Sequence, residues 1–239
     1  MIDLHCHLLP GVDDGARTLE DALLLARASV ANGITKAVLT PHVHPGVFDN
    51  SLATLLPAFE AFRAALEAAG IPLEVFLGAE ARIHPDIFDL LARDDLPVIG
   101  MLGDHRIVLL EFPDGQLPVG AAAACRYLAE RKVRVLIAHP ERNKEVMRDP
   151  SRIKPFVDAG CMLQVTAASV VGRFGKQAYD TAHQLLMGGL VSVIATDAHN
   201  LLHRPPMLRE AREAVSSLYG TTIAIRLTEE TPAEILAGR

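Results

Sequence analysis

Residues 2–15 read IDLHCHLLPGVDDG, and the fold turns on how this stretch is read. A short apolar lead runs into His5 and His7, with Cys6 between them, and Asp13 and Asp14 follow shortly after. If the lead is a strand, its side chains alternate between two faces. Both imidazoles then share one face about 7 Å apart along the chain, and Cys6 points to the other. Two imidazoles at the end of an apolar strand are placed as metal ligands are, and Cys6 becomes a small wall residue.

Six further apolar runs share this character: KAVLTPH (36–42), EVFLGAE (74–80), RIVLLEF (106–112), RVLIAHP (134–140), CMLQVTA (161–167) and VSVIATDAH (191–199). Between them the apolar spacing is helical. The first such stretch starts at Thr18, a candidate N-cap. It places Leu19, Leu23, Ala26 and Val30 at three- and four-residue steps and stops at Asn32-Gly33. Similar spacing covers 52–69, 119–131, 151–159, 173–188 and 205–218. Buried strands alternating with amphipathic helices imply a parallel sheet covered by helices. The polar residues choose between an open sheet and a barrel. His7, His42, Glu80, Glu111, His139, Asp197 and His199 all fall at C-terminal strand ends, on six of the seven runs. A β/α barrel brings those ends together on one face, whereas an open sheet spreads them along a crevice. The expectation is a single-domain α/β chain over 1–239, a distorted (β/α)7 barrel with its site at the C-terminal ends of the strands.

The composition agrees with a large buried core, since 50% of the 239 residues are hydrophobic. A net charge of −6 disfavours binding to nucleic-acid backbone. Cys6, Cys125 and Cys161 have no paired spacing, as in a protein of a reducing compartment. Neither a signal-peptide pattern nor an apolar run of the ~18–20 residues that span a bilayer is present, so the expected location is the cytoplasm, without membrane insertion.

Two chemistries compete. Cys125 opens CRYLAER, which matches the C-x5-R spacing of thiol phosphatases. It lies, however, in a helical run whose N–H groups are already bonded and cannot cradle phosphate. The metal reading draws on imidazoles and carboxylates without thiolate. This donor set suits manganese first, with iron, zinc, cobalt or magnesium as alternatives. The donors exceed the needs of one ion, so two or three ions sharing a carboxylate are expected. His44, His84, His105, His183 and His203 lack the strand-end placement and are read as ordinary packed or surface residues. Arg142 in HPER and Arg204 in TDAHNLLHR fall in loops above the cluster, where guanidinium groups hold phosphate oxygens bidentately.

With these residues placed, the chain resembles the polymerase-and-histidinol-phosphatase (PHP) superfamily of metal-dependent phosphoesterases. Within it, the chain is most similar to the CpsB-like protein tyrosine phosphatases of bacterial capsule operons. DLHCHLLPGVDDGA, TPH, GAE, LLEF, HPER and TDAHN recur in order over nearly the whole chain, and PGVDDGA together with TDAHN is the specific part. The resemblance implies a distorted seven-stranded β/α barrel. One metal is held by His5, His7, Glu80 and Asp197, with Glu80 bridging to a second. The second takes Glu111 and His139, and a third takes Asp14, His42 and His199. The family's phosphate-contacting arginines fall at Arg142 and Arg204. The implied substrate is phosphotyrosine on a protein, with a bacterial tyrosine kinase tail as partner in capsular or exopolysaccharide synthesis. The alternative within the superfamily is a small phosphate ester such as histidinol phosphate, or a phosphotriester. An amidohydrolase also begins with H-x-H on a barrel strand, but commonly bridges its metals with a carboxylated lysine, and here Glu80 stands at that position. A metal-dependent scaffold for capsule export is the non-enzymatic alternative.

Overall fold

The seven apolar runs all become strands in the computed structural model, which describes residues 1–238. In chain order the strands are β1 (Ile2–Cys6), β2 (Lys36–Leu39), β3 (His42–Val43), β4 (Glu74–Leu77), β5 (Glu80–Arg82), β6 (Gly100–Leu102), β7 (His105–Glu111), β8 (Val133–Ala138), β9 (Met162–Thr166) and β10 (Val193–Ala195). Two of the runs are interrupted. Run 36–42 breaks at Thr40-Pro41, where proline has no N–H for the ladder. Run 74–80 breaks at Gly78-Ala79, where a Cβ on Gly78 would lie 2.7 Å from Val38 Cγ1. These breaks are the distortion of the barrel.

One ladder runs β1-β2-β4 and the other β10-β9-β8-β7-β5-β3. Every pairing is parallel except the short β6, which returns antiparallel on β7. Since β3 and β5 continue β2 and β4, the ladders join. The ring closes where the last strand meets the first: Asp197 N–H donates to His5 O and His7 N–H donates to Ala198 O, each at 2.8 Å. Beneath this seam the buried Asp3 carboxylate accepts from the Thr196 N–H at 2.9 Å and its hydroxyl at 2.5 Å. Burial pushes the Asp3 carboxyl up.

The inward rows explain why the polar residues gather. Ile107 and Leu109 face the barrel interior and Glu111 follows on the same face, and Val193 and Ala195 are followed likewise by Asp197. Val38 precedes His42, and Met162 precedes Gln164, in the same alternation. Each row is apolar below and polar at the top. Leu4 belongs to the inner cluster, but Cys6 belongs to the outer one. The register of β1 is irregular between Asp3 and Cys6, and this break lets His5 and His7 take the inner side.

The outer layer is helical. Helix Leu19–Ala31 starts at Thr18 as expected, with Thr18 Oγ1 accepting from the Asp21 N–H at 3.1 Å. The spacing does not announce helix Pro85–Ala92 or the helical run from Thr221 to Ala237. In the latter, Ala224, Leu227, Thr228, Ile235 and Leu236 are buried on one helical face. Its end, Thr231–Ala237, closes the floor of the barrel by inserting Ile235 and Leu236 beneath Ile99 and Leu4. Gly100 admits this approach, because a Cβ there would lie 2.3 Å from Ile235 O. Ile235 is fully buried at the end remote from the polar rows. Ile235→Ala is therefore expected to cost about 2–5 kcal/mol of stability. Urea unfolding checks the loss, and kcat per folded molecule should be retained.

Candidate metal centre

At the top of the barrel the polar row collapses onto Glu80. Its Oε2 lies 3.3 Å from His5 Nε2, 3.3 Å from His7 Nε2 and 3.1 Å from His42 Nδ1. Its Oε1 lies 2.8 Å from His139 Nε2. Asp197 Oδ1 is 3.3 Å from His5 Nε2 and 3.5 Å from His7 Nε2. Asp14 Oδ1 lies 3.3 Å from both His42 Nε2 and His199 Nε2. His139 and Asp197 occupy left-handed backbone, with φ of 31° and 52°. Such conformations are costly for non-glycine residues and persist where the surroundings over-determine them. At His139 this turn takes the place of the next alternating step and aims the ring at Glu80.

Three groups have donors close enough to share an ion: His5, His7, Glu80 and Asp197; His42, Glu80 and Glu111; and His7, Asp14, His42 and His199. All nine ligand-type residues read from the sequence meet at this end. The first group is the set implied for one metal. In the second, His42 stands with Glu80 and Glu111, while His139 touches Glu80 at 2.8 Å and lies 3.9 Å from Glu111 Oε1. The third adds His7 to the implied set.

The donors suit divalent ions. Glu80 Oε2, Asp197 Oδ1, His42 Nδ1 and His199 Nε2 are buried without a hydrogen-bond partner. Such atoms are expensive to bury unless a cation satisfies them. His5 Nε2 and His7 Nε2 sit 3.2 Å apart while their other nitrogens are engaged. His5 Nδ1 meets Gln164 Oε1 at 2.9 Å, and His7 Nδ1 meets Asp13 Oδ2 at 2.7 Å. With each Nδ1–H donating to its oxygen, both Nε2 lone pairs face the same space, the arrangement of metal-ligating histidines.

Charge is balanced within the cluster. Burial works against the Glu80 carboxylate, but His5 and His42 hold it well below the usual carboxylate range. Burial likewise opposes Asp197, which His5, Arg204 and Arg142 hold well below that range. Contacts from His199 and His42 keep Asp14 low. Burial and the nearby His7 push His199 down to about 4. Arg142 and Arg204 both donate to Asp197 Oδ2, Arg204 at 2.5 Å. The Arg142 guanidinium also lies over the Phe174 ring, 4.8 Å from its centroid.

Three supporting residues emerge only in the structure. Asp13 orients His7 and accepts the His42 N–H at 3.0 Å. Gln164 orients His5 and accepts the His139 N–H at 3.3 Å. Arg82 donates to Glu111 Oε2 at 2.8 Å. The signals in the sequence are Gln164 and Thr166, polar and in phase with Met162 on their run, and Asp13 beside Asp14 in the opening stretch. The remaining histidines join none of the three groups: His84 caps helix Pro85–Ala92, His183 joins Tyr219 and Val170, and His105 pairs with Asp104. His44 opens a turn to Phe48, and His203 is exposed. Cys125 is buried on helix Ala121–Ala129, away from the cluster.

A profile of the family described as capsular polysaccharide synthesis, CpsB/CapC, matches residues 1–237. Tyrosine-protein phosphatase YwqE of Bacillus subtilis is 36% identical over 236 residues, covering 99% of this chain and 91% of that protein. Tyrosine-protein phosphatase CpsB of Streptococcus pneumoniae is 27% identical, covering 99% of this chain and 98% of its own length. Among solved structures, those of YwqE and CpsB, described as metal-dependent tyrosine phosphatases, include a chain that superposes with a TM-score of 0.93 at 34% identity. It covers 100% of this chain and 95% of that one. A phosphotriesterase homology protein from Escherichia coli shares the fold alone, with a TM-score of 0.60 at 12% identity over 98% of this chain and 96% of its own.

Burial pulls the His5 and His7 imidazoles down, but Glu80 and Asp197 beside His5, and Asp13 and Glu80 beside His7, raise both to about 9. A raised imidazole contributes stability that is complete below its unfolded pKa of about 6.5 and is lost as pH rises through the folded value. The ion-free protein should therefore lose Tm between pH 6.5 and 9. A divalent ion that displaces those protons should restore it, with a larger increment at pH 9 than at pH 6.5. Thermal unfolding with and without Mn²⁺ checks this, and an increment that shrinks as pH rises contradicts it.

Proposed function

Because the chain belongs to the CpsB/CapC family, we propose that it is a metal-dependent phosphomonoester hydrolase, a protein tyrosine phosphatase of the capsule-synthesis type. Its substrate is phosphotyrosine on a bacterial tyrosine kinase tail. The observation that carries this reading is the pairing of an ion-ready cluster with two guanidinium groups on one carboxylate, Asp197.

His5, His7, Glu80 and Asp197 would hold one ion, Glu111 with His139 or His42 a second against Glu80, and Asp14, His42 and His199 a third, with manganese favoured. Divalent ions bound there supply a water-derived nucleophile at neutral pH and positive charge for the phosphoryl oxygens. The protein's own residues do the rest. Asp13 and Gln164 hold Nδ1 of His7 and His5, so that Nε2 is the nitrogen each ring turns toward the ions and the one whose proton an ion would displace. Asp197 Oδ2 gathers Arg142 and Arg204 at the mouth, where their side chains are 28% and 23% exposed and reach a ligand from solvent. Their fixed forks bind equatorial phosphoryl oxygens and neutralise the charge that develops there. Cys125, buried in its helix, takes no part.

Arg142→Ala and Arg204→Ala should each lower kcat roughly 10- to 1000-fold, the range for a lost charge-stabilising donor, with metal content by elemental analysis unchanged. Wild-type kcat in both variants removes the arginines from the chemistry. A phenol leaves with a pKa near ~10 and demands less of a general acid than a serine alkoxide. Phosphotyrosine peptides should accordingly be hydrolysed much faster than phosphoserine peptides of matched sequence. Equal rates, or a preference for histidinol phosphate, overturn the substrate while leaving the metal chemistry standing.

A further inference from the structure

A cavity of about 380 Å³ opens beside the third ligand group, and two of its walls are ligand-type residues, Asp14 and His199. Its other walls include Leu24 on helix Leu19–Ala31 and Leu201 and Leu202 on the loop that leads to Arg204. These three leucines are 46%, 45% and 78% exposed. Apolar side chains left in solvent around a polar end match the composition of a ligand site.

The loop is built to hold them there. Asn200 Oδ1 accepts the N–H groups of Leu202 at 3.1 Å and His203 at 2.7 Å. The His199 N–H donates to Arg204 O at 2.9 Å, tying the loop ends together. Arg173 donates to Leu202 O at 3.3 Å from outside. The same six residues thus deliver His199 to the ligand group, the Arg204 guanidinium to Asp197, and Leu201 and Leu202 to the cavity wall. One loop thus carries a phosphate contact at one end and the leucine wall in its middle.

Resting on the phosphatase reading above, we propose that this cavity is the leaving-group subsite and that it seats the aromatic ring of the substrate's phosphotyrosine. A phosphoryl group held between the arginines and the ligand cluster has the ester oxygen's substituent still to place. The cavity adjoins the third ligand group at Asp14 and His199, and presents Leu24, Leu201 and Leu202 alongside Arg17 and Asp21. A phenyl ring attached through the ester oxygen reaches the leucines and buries apolar area on both sides. A seryl methylene is too short to do so, and brings polar backbone to the cavity mouth instead. The volume is near the lower end for ligand pockets and accommodates a ring with part of a flanking residue. Discrimination between aryl and alkyl esters then has a binding component, beyond the ease with which phenol leaves.

The test is steady-state kinetics of the metal-loaded full chain on a phosphotyrosine peptide, with inorganic phosphate as competitive inhibitor. Leu202→Ser with Leu24→Ser should raise KM for the peptide about tenfold, with kcat within about threefold and the inhibition constant of phosphate within about twofold. Leu24→Trp, which fills the cavity, should raise the same KM without moving phosphate inhibition. A peptide KM unmoved in both variants, or a phosphate constant that rises in step with it, overturns the subsite. Wild-type protein that binds phosphate but does not turn over the peptide overturns the phosphatase reading itself, and is distinguished from subsite failure because no variant is involved.

Discussion

A carboxylate with no solvent contact stays ionised only if positive charge surrounds it, and Glu80 is that carboxylate here. Four imidazoles, from His5, His7, His42 and His139, lie within 2.8–3.3 Å of its two oxygens. They come from β1 and the residue just after it, the start of β3 and the turn after β8, so satisfying this one group requires three parts of the ring at their final spacing. Burying an unpaired charge costs several kcal/mol, and this demand makes the top of the barrel specific rather than merely polar. The protons shared among these groups are the ones a divalent ion replaces.

The barrel's plan was visible in the sequence because its two periodicities are clean. Strand runs end in ligand-type residues, and the inward alternation Ile107–Leu109–Glu111 continues unbroken from core to site. Where the backbone is regular, a polar residue in phase with apolar ones identifies itself, as Glu111 does at the end of β7. His139 stands out by its place at a strand end and His5 by its H-x-H spacing with His7, but the local geometry that aims them is not legible. His5 depends on a register irregularity in β1, and His139 on a left-handed turn. Neither leaves a mark in composition. The floor helix was missed because its apolar positions run through a π-helical stretch, Arg226–Glu230, that blurs the 3.6-residue period.

Asp197 illustrates how one side chain can serve two environments. Its Oδ1 faces His5 and His7 in the interior, and its Oδ2 accepts from Arg142 and Arg204 at the mouth. The arginines are therefore positioned by the same group that completes the first ligand set, and a disturbance of either is felt by the other. Phe174, packed against the Arg142 guanidinium, limits that side chain's freedom further and lowers the entropy lost on gripping an anion.

The seam between β1 and the segment after β10 has a temporal meaning. Asp3 and Thr196 are 193 positions apart, yet their hydrogen bonds lie beneath the first ligand set, and His5 and Asp197 face each other across the same join. Contacts of such sequence separation are among the slowest to form. A chain emerging during synthesis carries His5 and His7 from the outset but lacks Asp197 until six of its seven strand runs have been made. The first and third ligand sets are thus incomplete in every chain that stops short of Asp197 and His199, and until then Arg142 has no carboxylate at Asp197 to hold it at the mouth.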